Sequence, residues 1–361
     1  MNVMTVCGEK KIEDLGVVLP HEHLFIDISN QFTEPVTPFG KKLAYQKINM
    51  SNLGYLRRDP YVVKDNLVLS DYNIARDEIM TFKECGGQSI IDVTPIGIGR
   101  NPSQLQQLMI ETGVNIIAGC GFYTYDTHTA DIEEKSVNDI TEIIRNDLLI
   151  GMDQTGVRSG VIGEIGTSQQ IHQNEKKVLQ AAGRAQSQTG VPLFVHIYPW
   201  SENGIEVLNI LESEGANLSQ VVICHSDVEI NPNYMISVMK RGAFIEFDNF
   251  GKEFWIPIEK RGFAGGNFAT DRDRVQVIRK LVDLGYQDRL LMTNDICLKI
   301  MLHAYGGWGY DHIISNIVPM LIDAGVEEKT IWGIIKENPQ QLFLGIKNKE
   351  VNHKHGRSEN K

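Results

Sequence analysis

The chain has 361 residues, of which 42% are hydrophobic and 22% are charged, a composition typical of a globular protein rather than a disordered or fibrous one. Its formal net charge is -11, and its basic residues are scattered apart from a short run at the C-terminus, which argues against nucleic acid as the main partner. Because the sequence has no apolar stretch long enough to cross a bilayer, we expect no membrane partner. The five cysteines form no CxxC pair and are odd in number, which indicates a reducing compartment and a cytoplasmic protein.

Short apolar runs rich in β-branched residues recur along the chain, and helical stretches separate them. The runs cover residues 16–20, 88–93, 114–119, 160–165, 191–197, 220–225, 243–247 and 289–293. The intervening helical stretches cover residues 70–85, 102–112, 138–150, 172–189, 203–214, 231–241 and 270–284, and two closing helices are predicted at 310–324 and 328–338. Such alternation is typical of a parallel sheet, and eight strands predict an α/β fold of the (β/α)8, or TIM barrel, type.

Two longer segments interrupt the alternation. Residues 31–69, after the first strand, are rich in polar, aromatic and proline residues and indicate an inserted loop or small helices near the barrel mouth. Residues 249–269 form a similar excursion after the seventh strand. No break in composition marks a second domain, so we predict one barrel domain over residues 1–345 and a polar, disordered tail over 346–361.

Six ionisable residues stand at or just after the carboxyl ends of five predicted strands. They are His21, His23, Glu164, His196, His225 and Asp295. In a barrel these ends converge on the face where active sites are built, and the two histidines of an HxH pair on extended chain point the same way. Imidazole and carboxylate groups suit zinc, and six ligands exceed what one tetrahedral ion needs. The sequence therefore predicts two divalent metal ions, with zinc as the expected metal, sharing a bridging carboxylate.

Each of these residues alone has a simpler interpretation. An HxH pair can be a hydrogen-bonded surface feature, a buried histidine can be a satisfied core residue, and a carboxylate can cap a helix. The shared placement of all six at one end of the barrel is much harder to obtain by accident. The histidines placed elsewhere are interpreted as structural or solvent-facing; they are His128, His172, His303 and His312.

Five motifs in chain order resemble those of the phosphotriesterase family of the amidohydrolase superfamily. They are VVLPHEHLFID at 17–27, VIGEIGTS at 161–168, FVHIYPW at 194–200, VICHSD at 222–227 and LLMTNDICLK at 290–299. The resemblance runs from about Gly16 to Leu344 and implies a metal-dependent hydrolase. It also implies that His21, His23 and Asp295 bind the more buried ion, and that His196 and His225 bind the more exposed one.

The sequence departs from the best-known members of the family at the bridging ligand. Those members use a carboxylated lysine, whereas Glu164 stands in that register here, as it does in other members. The resemblance therefore still implies two ions, but not efficient triester hydrolysis. The segment AGCGFYTY at 118–125 resembles the lactonase branch of the family at Tyr123, where the organophosphate-degrading enzymes carry tryptophan.

These features predict a lactonase that opens sugar lactones, including phosphorylated 1,4-lactones. A hydroxide shared by the two ions would attack the carbonyl carbon, and Asp295 would pass its proton to the leaving group. The Tyr123 hydroxyl would lie near that hydroxide or the ring oxygen of the substrate, or Tyr123 would simply be an aromatic rim residue. Basic residues near the mouth would hold an anionic substrate; the candidates are Lys252, Arg261 and Arg272, with Lys252 first because it lies nearest its strand end.

Two other functions compete with this prediction. The same ligands would serve a phosphotriesterase or another phosphoester or carboxylester hydrolase, including a nuclease, although the acidic charge disfavours nucleic acid. A non-catalytic binding protein would be expected to lack one or more metal ligands, and all six are present. The expected partner is thus a small-molecule substrate, and a homodimer is possible by resemblance alone.

Overall fold

The computed structural model describes residues 1–256 and 266–346, and within them eight parallel strands surround a central core. The strands are β1 (Val18–Glu22), β2 (Ser89–Asp92), β3 (Asn115–Ala118), β4 (Ile162–Gly166), β5 (Leu193–His196), β6 (Val221–Ile223), β7 (Phe244–Phe247) and β8 (Leu290–Met292). Each overlaps one of the eight predicted runs, so all eight strand predictions are confirmed.

The strands pair in chain order in two sheets, β1-β2-β3 and β4-β5-β6-β7-β8, which are joined at both seams. At the first seam the amide of Gly163 donates to the carbonyl of Cys120 at 2.7 Å. At the second seam the amide of Asp295 donates to the carbonyl of His21 at 3.2 Å, and the Thr293 hydroxyl lies 3.0 Å from the same carbonyl oxygen. These bonds complete the ring, and the predicted (β/α)8 barrel is confirmed.

Helices follow the strands on the outside of the barrel. They are α1 (Tyr72–Glu84), α2 (Pro102–Thr112), α3 (Val137–Leu149), α4 (Gln173–Thr189), α5 (Gly204–Ser213), α6 (Pro232–Lys240), α7 (Asp271–Asp283), α8 (Val318–Asp323), α9 (Glu328–Trp332) and α10 (Asn338–Gln341). Residues Ile313–Ile317 and Gly333–Glu337 form wider π-type turns that lead into α8 and α10.

Local sequence signals set where these helices begin and end. Ser136 before α3 and Thr270 before α7 each accept a hydrogen bond from the backbone of the third helical residue, whose own carboxylate bonds back to the cap. Gly113 and Gly190 end α2 and α4 in the left-handed conformation that glycine adopts without steric cost.

The insertion after β1 contains the small helices predicted for it. They are Pro38–Ala44 and Leu53–Leu56, followed by the 3-10 turn Lys64–Leu67. The insertion is tied to the barrel where Ile26–Asp27 pairs with Val68–Leu69. In the excursion after β7, Trp255–Ile256 pairs with Gly266–Asn267, and residues 257–265 lie outside the described part of the chain.

An antiparallel N-terminal hairpin, Asn2–Thr5 with Gly8–Lys11, was not predicted. Its Val3 packs with Val18 and Phe194 in a buried cluster inside the barrel, together with Phe343 from the end of the chain. The hairpin and Phe343 thus help to close the amino end of the barrel. The predicted polar site residues lie at the opposite, carboxyl end. The predicted tail lies outside the described residues except for Ile346, and among the described helices none is both long and apolar enough to span a bilayer.

Closure of the seam between β3 and β4 depends on Gly119. A methyl group at Gly119 would lie 2.1 Å from the carbonyl oxygen of Gly163 and 3.0 Å from the Cα of Val93, so backbone would have to move. We expect Gly119→Ala to lower the free energy of unfolding by about 1–3 kcal/mol or more, as over-packing does. Gly54→Ala is the matched control, because a methyl group there meets no atom within 4 Å. Urea unfolding of both variants tests this, and equal stabilities would contradict it.

Candidate metal centre

The six predicted ligands meet at the carboxyl end of the barrel, and all are at most 6% exposed. Two groups among them have ligand atoms that all lie within 4.8 Å of one another: His21, His23 and Asp295 form the first, and His21, Glu164 and His225 form the second. Residues spread over nearly the whole sequence are therefore brought together at distances that a shared ion can bridge.

Glu164 lies at the centre of this cluster. Its Oε2 is 3.2 Å from Nδ1 of His196, 3.3 Å from Nε2 of His225 and 3.7 Å from Nε2 of His21. Its Oε1 is 3.3 Å from Nε2 of His23. One carboxylate thus touches both pairs of histidines, which is the position required of a bridging ligand.

The donor atoms fit metal ions better than they fit one another. Nε2 of His21 is buried and has no hydrogen-bond partner among the described residues, although it faces Glu164 at 3.7 Å and Asp295 at 3.8 Å. A buried nitrogen without a partner is costly unless a ligand satisfies it. Burial alone would raise the pKa of Glu164, but the surrounding histidines hold it well below the usual range, so the cluster favours a carboxylate beside positive charge.

A second layer of side chains fixes the ligand rings. Nδ1 of His21 lies 2.9 Å from Oε2 of Glu246, and Nδ1 of His225 lies 3.1 Å from Oδ1 of Asp248. Carboxylates in this position set the tautomer and orientation of metal-binding imidazoles. Burial raises the pKa of Glu246 to about 7, although nearby His21 opposes that shift.

The carboxylates that contact the histidine rings were not predicted, although the sequence contains a pattern that indicates them. Glu246 and Asp248 stand two positions apart at the end of β7, so both point to the barrel interior, where an apolar residue is usual. Asp92, at the end of β2, was missed in the same way. It accepts from the amides of Leu24 and Thr94, and the Thr94 hydroxyl lies 2.8 Å from Nδ1 of His23.

Two ligand residues have strained backbone. His225 has φ of 57° and Asp295 has φ of 48°, a left-handed conformation that costs non-glycine residues about 1–3 kcal/mol and persists only where the surroundings enforce it. The His225 amide donates to Asp248 at 2.8 Å and the Asp295 amide donates to the carbonyl of His21, so neighbouring strands hold both residues in place.

Lys252 enters the same cluster from the loop after β7. Lys252 is 4% exposed, and its ammonium group contacts Oδ2 of Asp295, while Oδ1 of Asp295 lies 3.1 Å from Nε2 of His23. Burial opposes the charged form of Lys252, but the neighbouring Asp295 outweighs it and raises the pKa of the ammonium. Of the predicted basic residues that the structure describes, Lys252 lies beside the candidate metal ligands.

The other basic candidates lie elsewhere. Arg272 is exposed on the first turn of α7 and does not line the pocket over the cluster, so its position gives no support to the predicted contact with substrate. Arg261 lies outside the described residues. Arg274 is fully buried and holds the loop: it donates to Asp227 at 2.8 Å, to Asp271 at 2.9 Å and to the carbonyl of Lys252 at 3.3 Å.

A pocket opens over the cluster, on the face of the barrel where active sites are built. Its walls are mostly apolar and come from the two excursions and the strand ends; they include Ile26, Ile28, Tyr61, Phe254, Phe268 and Leu298. Tyr123 also lines the pocket, with its hydroxyl 3.1 Å from Nδ1 of His196. This hydroxyl lies beside a candidate ligand atom, and the two roles given to Tyr123, a hydrogen bond near the hydroxide or substrate and an aromatic rim residue, stay predictions.

The histidines outside the cluster have structural partners, as predicted. His172 caps α4, and Nε2 of His128 lies 2.8 Å from the carbonyl oxygen of Tyr123. His303 and His312 pair with Asp311 and Asp271 at 2.6 and 2.8 Å.

An eight-stranded barrel with buried histidines and carboxylates clustered at its carboxyl end is typical of the metal-dependent barrel hydrolases. Within that class the chain belongs to the phosphotriesterase family, whose sequence model matches residues 1–343. The resemblance stated from five motifs is thereby confirmed. Members of this family depend on two metal ions, and the described residues supply candidate ligand groups for them.

Among relatives, the chain is 38% identical over 341 residues to an N-acetyltaurine hydrolase of Xenopus tropicalis and 35% identical over 341 residues to one of Homo sapiens. Each match covers 94% of this chain and 97% of the relative. The chain is a hydrolase of ester or amide bonds by this kinship.

Three solved structures are similar to this one. A resiniferatoxin-binding protein from Rhodobacter sphaeroides is 36% identical, with a TM-score of 0.91 and coverage of 95% of this chain and 94% of that one. A phosphotriesterase homology protein from Escherichia coli, solved with phosphate in its active site, is 27% identical with a TM-score of 0.74, covering 92% and 99%. A lactonase from Listeria monocytogenes is 24% identical with a TM-score of 0.75, covering 96% and 100%, and shares the fold.

The buried ion pairs of Arg274 are expected to contribute to the free energy of unfolding. Arg274→Met would leave the buried carboxylates of Asp227 and Asp271 without their cation, which typically costs about 3–5 kcal/mol. Arg279→Met, on the same helix, is the control: its pair with Asp283 is largely solvated, and such pairs contribute about 0–1 kcal/mol. Chemical denaturation of both variants would measure the difference, and a similar loss in the two would contradict the structural role given to Arg274.

Proposed function

We propose that the protein hydrolyses a small N-acyl amine carrying an acidic group, with N-acetyltaurine as the first candidate, using two divalent metal ions, of which zinc suits the ligands best. The observation that carries this proposal is the meeting of six donors beneath a pocket whose wall contains the buried ammonium of Lys252. The N-acetyltaurine hydrolases support the substrate class, because the chain aligns with nearly their entire length.

His21, His23 and Asp295 would hold one ion, His196 and His225 the other, and Glu164 both. Ions in this position supply a nucleophile from water at neutral pH and polarise the substrate carbonyl. Nitrogen and carboxylate ligands in these numbers are typical of zinc.

Asp295 is the residue placed to move the proton. Burial alone would raise the pKa of Asp295, but Lys252 and the histidines keep it well below the usual range, so this residue is a carboxylate at the start of the reaction. It would accept a proton from the attacking water and deliver it to the departing nitrogen as the C–N bond breaks, which gives a carboxylic acid and a free amine. An alkoxide leaving group would take the same proton if the substrate were an ester.

Lys252 is the residue placed to recognise a substrate anion. Its ammonium group has three hydrogen-bond donors and contacts Asp295 from the pocket wall. A sulfonate or carboxylate on the amine side of the substrate can use a second donor while Asp295 keeps the first. Among the described residues of the pocket wall, Lys252 is the sole lysine or arginine.

Lactone hydrolysis, with a phosphorylated sugar 1,4-lactone as the substrate predicted from sequence, is the second candidate. The Tyr123 hydroxyl favours it, because this group lines the pocket beside His196 and can donate to a ring oxygen. Water would add to the lactone carbonyl, Asp295 would pass its proton to the ring oxygen as the C–O bond breaks, and Lys252 would hold the phosphate.

A substrate panel decides between these candidates. We expect zinc-loaded protein to hydrolyse N-acetyltaurine faster than sugar 1,4-lactones, with or without a 5-phosphate, and faster than paraoxon. Chelation should abolish the activity, and Asp295→Asn should lower kcat by about 100- to 10,000-fold or more while the circular dichroism spectrum stays unchanged. If a lactone is opened faster than N-acetyltaurine is hydrolysed, lactone hydrolysis replaces the first candidate. If chelation removes neither activity, catalysis by metal ions is excluded.

Replacing Lys252 tests recognition of the anion separately from the chemistry. Lys252→Gln should lower kcat/KM for N-acetyltaurine by about 10- to 100-fold, the worth of a hydrogen bond to a charged group. N-propylacetamide, a similar amide without the sulfonate, is the matched substrate, because any effect of the substitution on Asp295 acts on both amides equally. A parallel loss for the two amides would show that Lys252 does not read the anion.

A further inference from the structure

Glu22 stands between two candidate metal ligands and is itself fully buried. Successive side chains of an extended strand point to opposite sides, so His21 and His23 face the metal centre while Glu22 faces away from it. A buried carboxylate here needs hydrogen-bond donors from a neighbouring element.

Within the described parts of the chain, the donors to Glu22 all come from the segment that carries Asp295. Oε1 of Glu22 accepts from the Thr293 hydroxyl at 2.6 Å, from the Asn294 amide at 2.8 Å and from the Asn294 side chain at 3.1 Å. Oε2 accepts from the amide of Ile296 at 2.8 Å. These donors lie immediately before and after Asp295, whose backbone is in the left-handed conformation.

We propose that Glu22 is the positioning residue that assembles the ion site of His21, His23 and Asp295. It ties the two histidines of β1 to the carboxylate beyond β8, so three ligands from opposite ends of the chain keep one geometry. The proposal rests on the two-ion centre of the proposed function. The second pair of ligands is held differently: His225 is fixed by Asp248, and His196 is the last residue of β5, away from this contact.

Both carboxylate oxygens of Glu22 are needed as hydrogen-bond acceptors. A glutamine at this position keeps the size of the side chain but has one oxygen in place of two. If that oxygen accepts from Thr293 and Asn294, the amide group faces the N–H of Ile296, and two donors then meet without an acceptor. The loop would shift to relieve this contact, and Asp295 would shift with it.

The test compares Glu22→Gln with Glu175→Gln. Glu175 is a matched control because it is also fully buried and also accepts from four groups: the amides of Tyr125, Ser168 and His172 and the Ser168 hydroxyl. Those groups lie in loops that carry none of the six ligands. For each purified protein, metal equivalents are measured by elemental analysis, and the affinity of each ion site by titration of the metal-free protein.

We expect Glu22→Gln to weaken one of the two ion sites by about 10- to 100-fold, the usual effect of losing a group that orients a metal ligand, and to leave the other site unchanged. Glu175→Gln should retain both sites at wild-type affinity even if its melting temperature falls. Equal affinities in wild-type protein and Glu22→Gln, or equal weakening of both sites, would overturn the proposal.

Thr293→Val serves if Glu22→Gln does not fold, because it removes one of the four donors to Glu22 and leaves the backbone amides of Asn294 and Ile296 in place. It also removes the contact of the same hydroxyl with the carbonyl oxygen of His21, which belongs to the same ion site. We expect weakening of the same single site, to a smaller degree, and wild-type affinity at both sites would again overturn the proposal. Metal titration is independent of substrate. Protein that binds two ions but cleaves no member of the panel would exclude the proposed function and leave the role of Glu22 standing.

Discussion

Negative charge buried at the carboxyl end of the barrel is the constraint on which the site depends. Glu164, Asp295 and Asp248 are at most 6% exposed, and all three face His21. Buried carboxylates remain ionised only where hydrogen bonds and positive charge compensate for lost water. Here Lys252 and the histidines supply that charge.

The histidines show how strong the field of these carboxylates is. Burial alone would lower the pKa of His23 and His225, yet the neighbouring carboxylates raise the two pKa values to about 9 and about 10. The same field favours divalent cations at the same point, because an ion shared between imidazole nitrogens concentrates more positive charge there than protons do. Metal binding and release of the histidine protons are therefore expected to be linked.

Much of the fold was predictable because it follows from the spacing of apolar residues along the chain and from the position of polar residues at the ends of the apolar runs. Buried parallel strands appear as continuous apolar runs, and a polar residue that ends such a run stands at the one face where function can lie. This is why all eight strands and the meeting of the six ligands could be inferred. Glu246 was also within reach, since a carboxylate inside an apolar strand is as unusual as a histidine at its end.

Other features were out of reach because they depend on contacts between distant segments. Arg274 and Arg272 are two positions apart in one helix, yet one is fully buried against Asp227 and the other is exposed. Only the docking of α7 against the loop after β7 distinguishes them. The N-terminal hairpin is similar: nothing in its short sequence reveals that Val3 helps to close the amino end of the barrel.

The residues of the pocket wall and the candidate metal ligands lie on different parts of the fold. Ligands such as His21 and Glu164 sit on strands joined by backbone hydrogen bonds, whereas pocket walls such as Tyr61 and Phe254 come from the two excursions. Loops can change without disturbing the strands beneath them. Family members that share this metal centre can therefore differ in their substrates. On the proposed function, the excursions and Lys252 would carry the discrimination in this chain: apolar walls with a buried ammonium would favour a substrate that has a single anionic end and an otherwise neutral body.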